Sequence, residues 1–258
     1  MAEDLLQQCK GNAMMEERGE RYFDDLVSRS FFLRSSKNES YFVMHDLVND
    51  LAKFITGEFC FRLEIKESCE IARKTRHLSY VRTKFDSSKK FKLSHVAKGL
   101  RTFLEIDLTS SWLQYNLTMI DNLLLSSKCL RVLSLFDFQN IRELPDSIGN
   151  LKHLRYLNLN YTSVEQLPDS VCTLYNLQIL LLRCCMSLTR LPSNMRRLVN
   201  LRHLDISGTS LKEMSLQMGQ LRNLQKLNTF VVGKHNRCSI KELGELQHLY
   251  GALSILNL

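Results

Sequence analysis

The sequence predicts an α/β protein in two parts, a small α+β unit of helix, hairpin and helix followed by a repeating solenoid. Three observations predict it. The segments LRVLSL, LRYLNL, LQILLL, LRHLDI and LQKLNT begin at Leu130, Leu154, Leu177, Leu201 and Leu224, at spacings of 24, 23, 24 and 23. All three prolines of the chain, Pro145, Pro168 and Pro192, follow a leucine at the same place in consecutive units. Ahead of the repeats, apolar residues recur at helical spacing on either side of two short aromatic runs.

The repeating half is justified by its period. L-x-x-L-x-L at 23 to 24 residues is the signature of a leucine-rich repeat, and such units stack into a horseshoe. Within each unit the second and third leucines alternate with polar or variable residues, as in Leu157-Asn158-Leu159, so one strand face points inward. One unit cannot bury its leucines alone. Stacking joins them into a continuous core, at roughly 1.5–3 kcal/mol per fully buried leucine. Position nine carries Thr162, Cys185 and Thr209, small side chains able to satisfy backbone groups inside the bend.

The outward strand positions predict a concave surface made of Val132, Ser134 and Phe136; Tyr156, Asn158 and Asn160; Ile179, Leu181 and Arg183; and His203, Asp205 and Ser207. This mixture of aromatic, amide and charged side chains suits a protein-binding face better than a small-molecule pocket. After the fifth repeat, VVGKHNRCSIKELGELQHLYGA reads as an irregular insertion, and LSILNL from Leu253 to Leu258 starts a further unit without a polar cap. The expectation is a truncated array.

The first unit is read in chain order. Met15, Tyr22, Phe23, Leu26 and Val27 predict an amphipathic helix over about residues 14–29. Phe31-Phe32-Leu33, the turn SSKNES and Tyr41-Phe42-Val43 predict a hairpin. Leu47, Val48, Leu51, Ala52 and Ile55 predict one apolar face of a second helix over about residues 46–56. Helix, two-stranded wing and helix is a winged-helix arrangement. Its outward face, Asn49, Asp50 and Lys53, offers a single positive charge, which speaks against a DNA-recognition helix.

Between the two parts, RHLSYVRTKFD and GLRTFLEID predict irregular first strands, with a helix around residues 116–127 before the regular repeats. The expected division is a winged helix over 1–62, a basic linker and solenoid cap over 63–128, and repeats over 129–258.

Composition sets the outer bounds. At 258 residues, 44% hydrophobic and 24% charged, the chain is ordinary globular protein with room for one or two domains. No stretch approaches the roughly 20 apolar residues of a membrane helix, and the opening residues lack the pattern of a secretory signal, so a soluble, cytoplasmic protein is expected. Of eight cysteines no two are spaced C-x-x-C, and Cys184-Cys185 are adjacent, which predicts reduced thiols. The sequons at Asn38, Asn116 and Asn160 matter only in a secreted protein. The net charge is +8, and Arg62 to Lys98 alone holds eleven Lys/Arg against four Asp/Glu. That window reads as a solvated linker before it reads as a surface for acidic partners or nucleic acid.

One pair of residues remains, His45-Asp46, where a short apolar run meets the second helix. A histidine at a helix N-terminus can donate to a phosphate, and Asp46 can cap the helix. The stretches FVMHDLVNDLAK, YFDDLVSRSFF and RHLSY, with repeats of the LRYLNL…LPDSV type, resemble the plant nucleotide-binding leucine-rich-repeat disease-resistance proteins, most closely their coiled-coil class. The resemblance covers nearly the whole chain. It implies that Met44-His45-Asp46 lies in the winged-helix part of a nucleotide-binding domain, with His45 facing the ADP phosphates and Asp46 as its local partner. It implies ADP or ATP as ligand of the intact family. The implied partners are a pathogen effector or host protein and the family's nucleotide-binding and coiled-coil parts.

The 258 residues contain no G-x-x-x-x-G-K-[ST], so no phosphate cradle accompanies His45, and no cofactor is expected on this chain alone. The chain is expected to start inside the nucleotide-binding module. No paired nucleophile and base can be identified, and His77, His95, His153 and His203 lack metal-like spacing, so an enzyme is not expected. Two alternatives stay open: a stand-alone repeat adaptor, and a winged-helix nucleic-acid binder using the basic window.

Overall fold

A computed structural model describes residues 15–35, 41–63, 71–82, 97–107, 117–233 and 239–257. The chain forms two compact units, Met1–Cys60 and Phe61–Leu258. Most of the basic window, with Asn38, His95 and Asn116, lies outside the described residues.

In the first unit α1 (Met15–Ser28) is followed by β1 (Phe32–Arg34) and β2 (Phe42–Met44), and α2 spans Asp46–Thr56. The strands pair antiparallel with Phe32 opposite Met44. Phe23 joins helix to wing, its ring centroid 5.4 Å from Phe32 and 4.8 Å from Phe42, the latter edge-on. Such geometry favours aromatic pairs beyond their buried area.

The apolar face expected on α2 forms, but it is not covered. Leu47 is 75% exposed, Leu51 55% and Ile55 71%, and Phe54 joins them at 85%. Asn49, expected outside, is half-buried with Val48 and Ala52. The helix half-buries its smaller apolar residues and leaves the larger ones exposed.

In the second unit β3 (Cys60–Leu63), β4 (His77–Arg82), β5 (Thr102–Asp107), β6 (Val132–Ser134), β7 (Tyr156–Asn158), β8 (Ile179–Leu181), β9 (His203–Asp205) and β10 (Lys226–Leu227) form one eight-stranded sheet in sequential order. Neighbours from β4 to β10 pair parallel. The first strands are thus regular members of the sheet rather than irregular ones. α3 (Leu117–Ser126) buries Ile120, Leu123 and Leu124 at the solenoid's start.

The repeat leucines stack in columns. Leu130, Leu154, Leu177, Leu201 and Leu224 are each 0% exposed, and Leu133, Leu157, Leu180 and Leu204 are equally closed off. Each Leu-Pro step turns the chain: Pro145 and Pro168, at φ −69° and −67°, precede the 3-10 turns Asp146–Asn150 and Asp169–Thr173. Proline's fixed φ presets that entry. Position nine behaves as expected, since Thr162 Oγ1 donates to the Leu159 carbonyl at 2.8 Å and Thr209 Oγ1 to that of Ile206 at 2.8 Å.

The segment read as an irregular insertion is a further repeat. Ser239 Oγ accepts from Lys241 N–H at 3.3 Å and starts a 3-10 turn over Ile240–Glu245. The Glu242 carboxylate accepts from the Gln217 and Gly219 amides, each at 3.2 Å, and Leu246 is 3% exposed. A serine cap replaces the missing Leu-Pro step, which is why the pattern escaped notice. The new unit ends in β12 (Ser254–Leu256), which pairs parallel with β11 (Thr229–Val231) in a separate two-stranded sheet. Residues 234–238 lie outside the described residues.

Candidate protein-binding face

Parallel pairing in register turns the outward strand positions into rows. Val132, Tyr156, Ile179 and His203 sit opposite one another, as do Ser134, Asn158, Leu181 and Asp205. Beyond the strands, the amides of Asp137, Tyr161 and Cys184 reach the carbonyls of Asn160, Arg183 and Ser207 at 2.8 Å each. Phe136, Asn160, Arg183 and Ser207 therefore make a third row.

Exposure differs sharply between the rows. The first is half-buried throughout. In the second, Ser134 is 6%, Asn158 9% and Asp205 7% exposed, so three residues expected on the open face are part of the solenoid itself. The cause is hydrogen bonding. Asn158 Nδ2 donates to Ser134 Oγ at 3.3 Å, and Asn158 Oδ1 accepts from Asn160 N–H at 3.0 Å. Asp205 Oδ1 accepts from Ser207 N–H at 3.0 Å and from Ser207 Oγ at 2.6 Å. Short polar side chains here tie the strand end to the following turn, as such residues do when backbone groups need partners.

The open part of the face lies in the third row and in the gaps of the second. Phe136 is 36% exposed and stacks edge-on with Tyr161, 38% exposed, at 5.3 Å between centroids. Arg183 is exposed, and Leu181 and Ile179 are half-buried between the aromatic end and His203. Burial raises the Tyr156 phenol above its ordinary pKa, and its hydrogen bond with Asn158 opposes the shift. Sequence reasoning missed Tyr161. It sits at φ 62°, in register with Asp137, Cys184 and Gly208 at φ 58°, 56° and 71°. Only Gly208 advertises that left-handed turn in the sequence.

A second concavity, of about 610 Å³, follows the Leu-Pro steps and is lined by Glu143, Asp146, Gln166, Asp169, Arg190 and Ser193 with the leucines and prolines between them. Its lining is largely polar, unlike the apolar clefts that hold small molecules. Among the described residues no group of three or more His, Cys, Asp or Glu could hold a metal ion. No described helix is long and apolar enough to cross a membrane.

In the first unit Met44 ends β2 and His45 is the residue before α2. His45 itself is the cap: its Nδ1 accepts from Leu47 N–H at 3.3 Å, and its carbonyl accepts from Asn49 N–H at 2.8 Å. Asp46, expected to cap, is instead the first helical residue, where its carboxylate suits the positive helix end. With Nδ1 accepting, the neutral ring carries its proton on Nε2. Both His45 and Asp46 are exposed.

A family model described as a leucine-rich repeat region matches residues 111–255. A second, described as a disease resistance protein winged helix domain, matches residues 1–52. The chain belongs to the leucine-rich-repeat disease resistance proteins of plants. Among these disease resistance proteins, At3g14460 of Arabidopsis thaliana is 52% identical over 260 residues, 100% of this chain and 18% of its own length. An RPP13-like disease resistance protein of the same plant is 45% identical over 260 residues, 100% of this chain and 24% of its own. The chain thus spans about a fifth of the length of the curated disease resistance proteins it matches. Among solved structures, the repeat ectodomain of the Arabidopsis receptor kinase GASSHO1/SCHENGEN3 is similar with a TM-score of 0.49 and 20% identity, over 71% of this chain and 22% of that one.

Proposed function

We propose that this chain is the recognition and regulatory segment of a cytoplasmic plant immune receptor. One observation carries the proposal: relatedness to plant disease resistance proteins runs unbroken through both units, at 52% identity over 100% of the chain. The repeats supply recognition through the open part of their concave face, where Phe136, Tyr161, Leu181 and Arg183 gather aromatic, apolar and charged surface. Leucine-rich repeats bind rather than catalyse. The same face restrains the receptor until a pathogen effector or modified host protein competes for it.

The winged helix supplies the nucleotide sensor. His45 has its Nδ1 committed to Leu47, so its Nε2–H is the donor that meets an ADP phosphate. ADP or ATP is held by phosphate-binding residues that these 258 do not include.

Site-specific photo-crosslinking tests the recognition role. A benzophenone amino acid replaces Phe136, Tyr161 or, as a control beside the 3-10 turn, Tyr175, and the protein is irradiated in leaf extract. Discrete protein adducts from positions 136 and 161 but not 175 support the proposal. Equal adducts from all three, or none from the first two, overturn it.

A further inference from the structure

Three serines of the chain stand three residues after an arginine: Ser79 after Arg76, Ser134 after Arg131 and Ser193 after Arg190. The fold treats them differently. Ser79 lies inside β4, opposite Leu104 of β5, and Ser134 is 6% exposed with its Oγ accepting from Asn158 Nδ2 at 3.3 Å. Ser193 is exposed, as is Arg190 ahead of it, and its Oγ accepts from Asn194 Nδ2 at 3.4 Å.

Ser193 also occupies a position that the two preceding repeats fill with a charge. The Leu-Pro steps continue as Leu144-Pro145-Asp146, Leu167-Pro168-Asp169 and Leu191-Pro192-Ser193. Parallel bridges from Glu143 to Gln166 and from Gln166 to Arg190 hold the three steps in register. Asp146, Asp169 and Ser193 therefore form one row, and all three line the concavity of about 610 Å³ together with Arg190. Two members of the row carry a carboxylate and the third a hydroxyl.

We propose that Ser193 is a phosphorylation site for a basophilic serine kinase, of the kind that reads an arginine three residues ahead of its acceptor. The proposal does not depend on recognition by the strand rows. Arg190 supplies the reading group, a planar head whose paired donors suit the carboxylates of such a kinase. The backbone supplies the approach: Arg190 is bridged like a strand residue, and the prolines equivalent to Pro192 are extended, at ψ 151° and 149°. The concavity leaves room above both side chains. In the transfer, Ser193 Oγ attacks the γ-phosphorus of ATP and the Oγ–P bond forms as the bond to the β–γ bridging oxygen breaks. A carboxylate of the kinase takes the hydroxyl proton, and ADP leaves.

The product carries about −1.5 to −2 charges at pH 7 on a residue that was neutral. It continues the anions of Asp146 and Asp169 into a third repeat, with Arg196 and Arg197 three and four residues further on. The modification is thus a charge switch on the Leu-Pro side of the solenoid.

The test incubates the folded full chain with MgATP and a purified serine kinase that requires arginine at this position, and locates phosphate by tandem mass spectrometry. The synthetic peptide of residues 190–197 runs beside it, with Ser193→Ala, Arg190→Gln and, as a control on another exposed arginine, Arg183→Gln in the full chain. Phosphate is expected on Ser193 of the chain and of the peptide, with the rate at Ser193 about tenfold or more lower in Arg190→Gln and unchanged in Arg183→Gln. Phosphate on the peptide but not on the folded chain overturns the proposal, because the fold then withholds the site. Phosphate on neither, phosphate only at other residues, or an equal rate at Ser193 in Arg190→Gln overturns it as well.

Discussion

Cys185 Sγ donates to the Leu159 carbonyl at 3.0 Å, across the boundary between two repeats. The same oxygen accepts Thr162 Oγ1 at 2.8 Å, so it stays partly satisfied when the thiol is removed. Cys185→Ala is therefore expected to cost only about 1 kcal/mol, and Cys185→Ser to recover part of it. Urea midpoints measure both. A loss equal to that of a core Leu→Ala, about 2–5 kcal/mol, would show that the thiol matters for packing rather than for the bond.

Asn158 belongs to the solenoid's own hydrogen bonding rather than to the open part of the candidate face. Because it is 9% exposed and bonded to Ser134 and Asn160, Asn158→Ala is expected to lower stability by about 1–3 kcal/mol. Arg183→Ala, on an exposed side chain of the same face, should change stability by less than about 0.5 kcal/mol. Thermal melts of the two variants give the comparison.

Close approach of neighbouring turns constrains Gly149. A Cβ there would stand 2.8 Å from Ser170 Cβ and 2.9 Å from the Ser170 carbonyl oxygen. Gly149→Ala is expected to cost about 1–3 kcal/mol, read as a lowered melting temperature. Gly244→Ala, with nothing within 4 Å, serves as the neutral control.

Alkaline stability should report on Cys172. Burial pushes its thiol from 9.0 up to about 11, with the Asp169 carboxylate adding in the same direction. The folded state holds this proton more tightly than the unfolded chain does. The contribution is thus complete below pH 9.0 and disappears as pH rises through about 11. Within that window stability should fall by up to about 1.4 kcal/mol per pH unit, and Cys172→Ala should flatten the slope in paired urea titrations.

The cap that His45 provides is separable from the sensing role proposed for it. As a cap, its loss in His45→Ala should cost about 0.5–2 kcal/mol, and His45→Asn should restore it. Circular dichroism melts score the cap. A variant that keeps the melt but loses nucleotide response in a longer receptor isolates the sensor.

Much of this architecture was legible in the sequence because it is periodic. Leucines at 23 to 24 residues fix which side chains face inward, and Leu-Pro steps fix where each unit turns. Exposure was the weak point. Alternation says that Ser134, Asn158 and Asp205 point away from the core, but not that Asn158 bonds Ser134 and Asn160, that Asp205 bonds Ser207, or that all three are buried. On α2 the error ran the other way, since helical periodicity identifies an apolar stripe without saying whether anything covers it. The last repeat escaped because Ser239 does by hydrogen bonding what proline does by fixed geometry.

The proposed division of labour between recognition in the repeats and nucleotide sensing at His45 is tested most directly by calorimetric titration of the purified chain with ADP, beside His45→Ala. No binding in either protein is the expected result, because these 258 residues contain no G-x-x-x-x-G-K-[ST]. Micromolar binding by the unaltered chain, lost in His45→Ala, would contradict the account and place a working nucleotide site within the winged helix.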